Sequence, residues 1–414
     1  MNSYFFKSAL LPSGWQDNVR VEVTQGNYSH IEVGANSQPQ DQIMSVVIPQ
    51  MPNIHSHVFQ RAMAGLSEYR ANVNDDFWSW RDLMYRLASE MEEASLYETA
   101  KRCYQEMKQA GYSSVCEFHY LHRNKNNHND YLTHSKVILK AAAEVGLNIT
   151  LLPVLYAFAG VGKQPLLAKQ KRFELSVSEY LNLLNQLHAS LQSGQKLGIC
   201  FHSLRAVSAK QIREVLENTP EDWPIHIHIA EQQAEVEALI QHTGLRPVEY
   251  LYSQFEVNQR WCLVHATHLN DQEIQMISNS NAVAGICPLT EANLGDGIFP
   301  MPAFIQQQGR FGIGSDSHIE INPAAELKML EYSQRLFLQQ RNVCCDAKLP
   351  HVGSWLWIQA VAGGSQIAAQ PVGGITIGQQ AGIITLQADL DQPPESMLDA
   401  YVFSDRVSAE ALDL

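Results

Sequence analysis

The chain contains no Cys-x-x-Cys pair, no GxGxxG turn after its first strand, and no apolar run long enough to span a bilayer. Its seven cysteines, Cys103, Cys116, Cys200, Cys262, Cys287, Cys344 and Cys345, are odd in number and lie mostly inside apolar stretches. That pattern argues against a disulfide framework and for free thiols in a reducing, cytoplasmic compartment, where they pack as small hydrophobes. A membrane helix needs about 20 consecutive apolar residues. The N-terminal MNSYFFKSALLPSGW has too short an apolar stretch even for a signal peptide. Basic residues are in deficit, 29 Lys and Arg against 43 Asp and Glu, for a net charge of −14. This balance argues against nucleic acid and anionic membrane as partners, and it still allows an anionic substrate in a locally basic pocket. Internal repeats and low-complexity tracts are also missing, and the polar RNKNNHND reads as a solvated loop.

What is present is a chain of 414 residues, 45% hydrophobic, longer than one compact domain usually is. Short strand-like runs alternate with helix-like segments: SVVIPQMPNIH, SSVCEFHYL, NITLLPVLY, KLGICFHSL, PIHIHIA, WCLVHATHL, AVAGICPL and RFGIGSDS. Intervening segments such as SLYETAKRCYQEMKQAG and AEVEALIQHTG have helical periodicity and end at glycine. Eight buried-looking strands in βα alternation predict an α/β fold, a TIM-like (β/α)8 barrel, over residues 48–370. A doubly wound open sheet is the structural alternative, weakened by the missing dinucleotide fingerprint. Residues 1–47 and 371–414 carry runs such as VRVEVTQ, GGITIGQ and AGIITLQAD between Gly and Pro turns. They predict a small β-sandwich domain built from both termini.

Histidines gather where such a barrel builds its chemistry. His55 and His57 are two residues apart, so on a strand they share one face. His226 and His228 repeat the pattern on the fifth run, with Glu231 three residues on. The sixth run ends in His265 and His268, and Asp316 ends the eighth after Gly312 and Gly314. Each of these alone reads as a core or surface histidine. Together, at strand ends one, five, six and eight, they form a ligand set of imidazoles and a carboxylate for one catalytic divalent ion, zinc above others. Such an ion brings the pKa of a water to about 7. Asp316 could touch the metal and accept the water's proton, and Glu231 could pass a proton to a leaving group. His265 could polarise the substrate or orient the nucleophile. The chemistry is metal-assisted hydrolysis.

This arrangement resembles the amidohydrolase superfamily, with HxH on the first strand, His on the fifth and sixth, and Asp on the eighth. His202 stands where dinuclear members supply a bridging lysine, which directs the resemblance to the mononuclear deaminase branch. Blocks such as NIHSHVFQRAMAGL, DDFWSWRDLMYRLA, CEFHYLHR, HSLRAV, HIAEQ, LVHATHL, CPLTEANLGDG and GIGSDSH are similar to the formimidoylglutamate deiminases of histidine degradation. They span residues 53–318. The terminal regions match weakly, and PQMPN departs from the glycine that many superfamily members place after the proline.

The resemblance implies metal ligands His55, His57, His228 and Asp316, proton-transfer residues Glu231 and His265, and substrate-holding residues Gln60, Arg81, Tyr120, His202 and Arg205. The implied substrate, N-formimino-L-glutamate, carries two carboxylates, for which Arg81 and Arg205 offer planar paired donors. Taken alone, Arg81 also fits a surface ion pair, and Tyr120 and His202 fit barrel packing. CPLTEANLGDGIFP reads as a loop walling the pocket, with Glu291 structural, and residues 67–76 as a second cover. The competing readings are a related deaminase acting on a guanine-, cytosine- or adenosine-like ring, and a non-catalytic relative keeping the barrel as a binding module. A homodimer is expected from the same resemblance. No function is read for 335–352.

Overall fold

A computed structural model describes residues 2–69, 76–388 and 392–414. The N-terminal strands are β1 (Asn2–Leu11), β2 (Gly14–Thr24), β3 (Asn27–Glu32) and β4 (Gln42–Pro49). Next come β5 (Met51–Ser56), β6 (Tyr112–His119), β7 (Asn148–Leu155), β8 (Gln195–Leu197) and β9 (Ile199–Ser203). The series closes with β10 (Ile225–Ile229), β11 (Trp261–His265), β12 (Val283–Ile286), β13 (Arg310–Ile313), β14 (Gly382–Ala388) and β15 (Val407–Asp413).

Eight of these, β5, β6, β7, β9, β10, β11, β12 and β13, run parallel in that order, with helices between them. They are buried almost throughout, which is why they read as continuous apolar runs without alternation. Closure comes from the segments just beyond the end strands. The Asp316 amide donates to the His55 carbonyl at 3.0 Å, and the His57 amide donates to the Asp316 carbonyl at 2.9 Å. Glycine makes this approach possible. A Cβ on Gly314 would stand 2.7 Å from the His55 Cβ and 2.8 Å from its carbonyl oxygen.

The second sheet has the order β15–β14–β4–β1–β2–β3, so both termini contribute to it. One face packs Tyr4, Phe6, Val19, Val21, Tyr28 and Ile383 together. The other turns Leu10, Val46, Ile48, Ile384 and Leu386 into the main core.

Three details depart from the sequence reading. The first apolar run is divided: SVVIP belongs to β4 of the terminal sheet, parallel to β1, and only Met51 onward enters the barrel. GGITIGQ is irregular, because Gly374 and Gly378 sit at φ +81° and +82°. Its Ile375 packs against the terminal sheet without joining a strand. Helix Pro394–Phe403, which the pattern did not announce, separates β14 from β15.

An unannounced helix, Val352–Ala368, packs against β5, β12 and β13. Gly363 meets the Phe311 carbonyl where no side chain fits, and Trp357 donates to the Pro49 carbonyl at 2.9 Å. Among the described residues no helix is long and apolar enough to cross a membrane.

The core also encloses histidines that bring no opposite charge with them. Burial drives the pKa of His122 and His226 down to about 3 and that of His119 well below its usual value. Each is neutral when folded and takes a proton in the unfolded chain below about pH 6.5. Their contribution is therefore complete above that pH and falls as the solution is acidified, each by up to about 1.4 kcal/mol per pH unit. In metal-free protein, His122→Asn should lose less of its urea midpoint than wild type between pH 7.5 and 5.5, and an equal change in the two proteins would contradict this account.

Candidate active site

The strand ends bring their polar side chains to one centre. His55 Nε2 lies 3.1 Å from His228 Nε2, and the Nε2 atoms of His55 and His57 each lie 3.4 Å from Asp316 Oδ1. The His57 ring is fixed by its other nitrogen, 2.8 Å from the Phe118 carbonyl, so Nδ1 donates there and Nε2 keeps its lone pair toward the centre. His228 stacks on Phe118 with centroids 4.2 Å apart. Burial lowers the pKa of all three histidines, that of His57 to about 3, so the rings are neutral.

Imidazole lone pairs this close to each other and to one carboxylate oxygen fit a divalent cation better than any proton arrangement. Among the described residues four groups have ligand atoms within 4.8 Å of one another: His55, His57 and Asp316; His55, His228 and His265; Glu231, His265 and Asp296; and His265, Cys287 and Asp316. The donor chemistry of the first two suits a metal.

The third group sits beside this centre and sets two carboxyls against one imidazole. His265 Nε2 is 3.7 Å from Glu231 Oε1 and 3.8 Å from Asp316 Oδ2, and its Nδ1 is 3.3 Å from Glu291 Oε1. Burial works against a charge on His265, but Glu231, the Glu291 hydrogen bond and Asp316 outweigh it and raise the pKa to about 10. Burial also raises the Glu231 carboxyl and, with Glu231 as neighbour, lifts Asp296 to about 9. The backbone bends sharply to aim these groups. Ala230, His265, Ala266, Asp316 and His318 all have φ between 44° and 66°, conformations costing about 1–3 kcal/mol each.

Opposite this acid wall lies a mixed aromatic and basic one. Gln60 Nε2 donates to the Tyr120 hydroxyl at 2.7 Å. His202 meets the Tyr156 ring edge-on at 4.5 Å and the His228 ring at 5.1 Å. Arg205 reaches only 3.8 Å from Glu231 and 3.9 Å from Glu235, beyond hydrogen-bond range. The Nε atoms of both Arg81 and Arg205 are buried with no hydrogen-bond partner among the described residues. A cleft of about 640 Å³, its open mouth included, is lined by His57, Gln60, Arg81, Tyr120, His202, Arg205, His228, Glu231, His265 and Asp316. The sequence-derived residues therefore share one cleft, with His55 fully buried behind its lining.

His226 and His268 do not join them. His268 Nε2 bonds the Asp296 carbonyl at 2.7 Å. The segment read as the loop CPLTEANLGDGIFP is in part a helix, Pro288–Leu294, ended by Gly295 at φ +67°. Its Glu291 accepts from the Cys287 amide at 2.8 Å and faces His265, so it holds a site residue in place. Of the second cover, residues 70–75 lie outside the described residues. Sequence reasoning missed Phe118, Asp296 and the helix Phe77–Glu90 wall of Phe77, Trp80, Met84 and Tyr85. The tryptophan-rich FWSWR was the available signal.

Residues 46–405 match the Amidohydrolase family, and residues 1–45 match the Formimidoylglutamate deiminase HutF, N-terminal domain. Formimidoylglutamate deiminase of Pseudomonas aeruginosa is 46% identical over 393 residues, spanning 94% of this chain and 87% of its own. A 5-methylthioadenosine/S-adenosylhomocysteine deaminase of Pyrococcus abyssi is 25% identical, over 74% of this chain and 67% of its own. The crystal structure of an amidohydrolase from Brucella melitensis superposes with a TM-score of 0.94 at 39% identity, covering 99% of this chain and 92% of that one. A zinc-bound adenosine deaminase of Xanthomonas campestris shares the fold, with a TM-score of 0.76 at 16% identity, over 96% and 88%.

Proposed function

The chain belongs to the amidohydrolase family, and we propose that it hydrolyses N-formimino-L-glutamate to N-formyl-L-glutamate and ammonia in histidine degradation. The observation that carries this reading is a pair of half-buried arginines, Arg81 and Arg205, whose buried Nε–H donors have no partner among the described residues and lie in the same cleft as the histidine–aspartate centre. A substrate with two carboxylates satisfies both. A guanine-, cytosine- or adenosine-like ring would leave them unpaired, at a cost of about 1–3 kcal/mol for each buried group.

In this reading His55, His57, His228 and Asp316 hold one divalent ion per subunit, and three imidazoles with one carboxylate favour zinc. When bound, the ion supplies positive charge that acidifies a water to a pKa of about 7. Arg81 and Arg205 hold the substrate carboxylates, while Gln60, Tyr120 and His202 orient the rest of the molecule. Water attacks the formimino carbon and gives a proton to Asp316, whose Oδ2 faces His265. His265, kept protonated by the surrounding acids, orients the reacting groups and stays in place. Glu231 protonates the formimino nitrogen as water adds. The proton on Asp316 then passes to that nitrogen, so that the C–N bond breaks and ammonia leaves. The hydroxyl proton returns to Glu231 as the formyl C=O forms. Burial raises the Glu231 carboxyl above its ordinary value, the direction that suits a group passing protons to and fro.

We read the enzyme as a cytoplasmic homodimer, with the terminal β domain dividing from the barrel near residues 47 and 371. Seven free thiols suit a reducing compartment. Leu336 and Phe337, exposed on helix Pro323–Leu338, give a second copy an apolar face.

Ammonia release from N-formimino-L-glutamate by zinc-loaded protein, abolished by chelation and absent with guanine, cytosine and adenosine, is the expected result. Release only from a ring substrate would overturn the substrate assignment. Glu231→Gln should lower kcat by at least about 100-fold, the usual range for a general acid, with zinc content unchanged. Loss of zinc in that variant would move Glu231 into the ligand shell. Arg205→Ala should raise KM at least tenfold, and unchanged kinetics would remove Arg205 from the substrate site.

A further inference from the structure

Two like charges face one cleft with little to hold them apart. Arg81 comes from helix Phe77–Glu90, and Arg205 from the turn after β9. Among the described residues Arg81 has no ion pair within 4.0 Å, and Arg205 has only its two long contacts to Glu231 and Glu235. The Trp78 indole lies near both guanidinium groups. The Trp78 ring centroid is 4.3 Å from the Arg81 Cζ and 6.0 Å from the Arg205 Cζ.

Trp78 is itself well anchored. The Asp76 carboxylate caps the helix by accepting from the Trp78 and Ser79 amides at 3.0 and 3.1 Å. The buried Phe77 meets the Trp78 ring edge-on at 5.1 Å. Arg81 follows three residues later and so shares a helix face with Trp78, and the Tyr85 ring, 5.5 Å from the Arg81 Cζ, supports it from the next turn. The negative face of an indole attracts cations, and guanidinium groups stack on it readily.

We infer that Trp78 is a positioning residue that holds Arg81 and Arg205 at the spacing of a dicarboxylate and so sets selectivity for two carboxylates over one. Without the indole, Arg205 is free to close the short gap to Glu231, and Arg81 to turn toward solvent. Each movement removes one anion-binding group from the cleft. The inference rests on the proposed dicarboxylate substrate, but binding measurements test it independently of turnover.

The test is equilibrium binding of N-formyl-L-glutamate and of N-formylglycine, which has a single carboxylate, to zinc-loaded wild type, Trp78→Ala and Trp78→Phe. The expected result is at least a tenfold loss of affinity for the dicarboxylate in Trp78→Ala, and less than threefold for the monocarboxylate. Trp78→Phe, which restores an aromatic face, should bring both within threefold of wild type. Equal losses for the two ligands, or no loss, would overturn the inference. The expected selectivity pattern in a protein that releases no ammonia from N-formimino-L-glutamate would support the inference and overturn the reaction.

Discussion

Two main-chain hydrogen bonds, between Asp316 and the segment His55–His57, hold the structure to its function. They join the first barrel strand to the last, and the residues that make them carry the side chains of the candidate metal centre. Fold closure and site assembly are thus one event. Gly314 makes this possible, because any side chain there would collide with His55. Loosening the seam would both open the barrel and separate His55 and His57 from the aspartate they face.

Electrostatic division of the cleft follows from that placement. Burial keeps the histidines nearest the seam neutral, as metal ligation requires. A few ångströms away, Glu231, Glu291 and Asp316 keep His265 protonated. Among the described residues the arginines on the far wall lack hydrogen-bond partners at Nε. A neutral region of histidines, an acidic region around His265 and a basic region at the arginines therefore occupy one cavity. Left-handed backbone at five site residues shows that this arrangement costs local strain.

Much of this was readable in the chain. The eight buried strands appear as apolar runs, and strand periodicity places the histidine pairs on common faces. The glycines preceding Asp316 were visible in the chain, and the close backbone approach they permit emerged only in the fold. Other parts were not readable for physical reasons. Periodicity cannot say that a continuous apolar run is shared by two sheets, as at Pro49 and Met51, because both halves are buried. Helix Val352–Ala368 is apolar on nearly every side and so lacks the stripe that marks an amphipathic helix. The approach of Glu291 and Asp296 to His265 is a tertiary relation with no local sequence signature.

Anomalous diffraction at the zinc edge, on crystals of the zinc-loaded protein, tests the central claim most directly. The account predicts one peak per subunit, within bonding distance of His55, His57 and His228 Nε2 and an Asp316 carboxylate oxygen. A peak ligated instead by Glu231, His265 and Asp296, or two metal peaks in the barrel mouth, would contradict it.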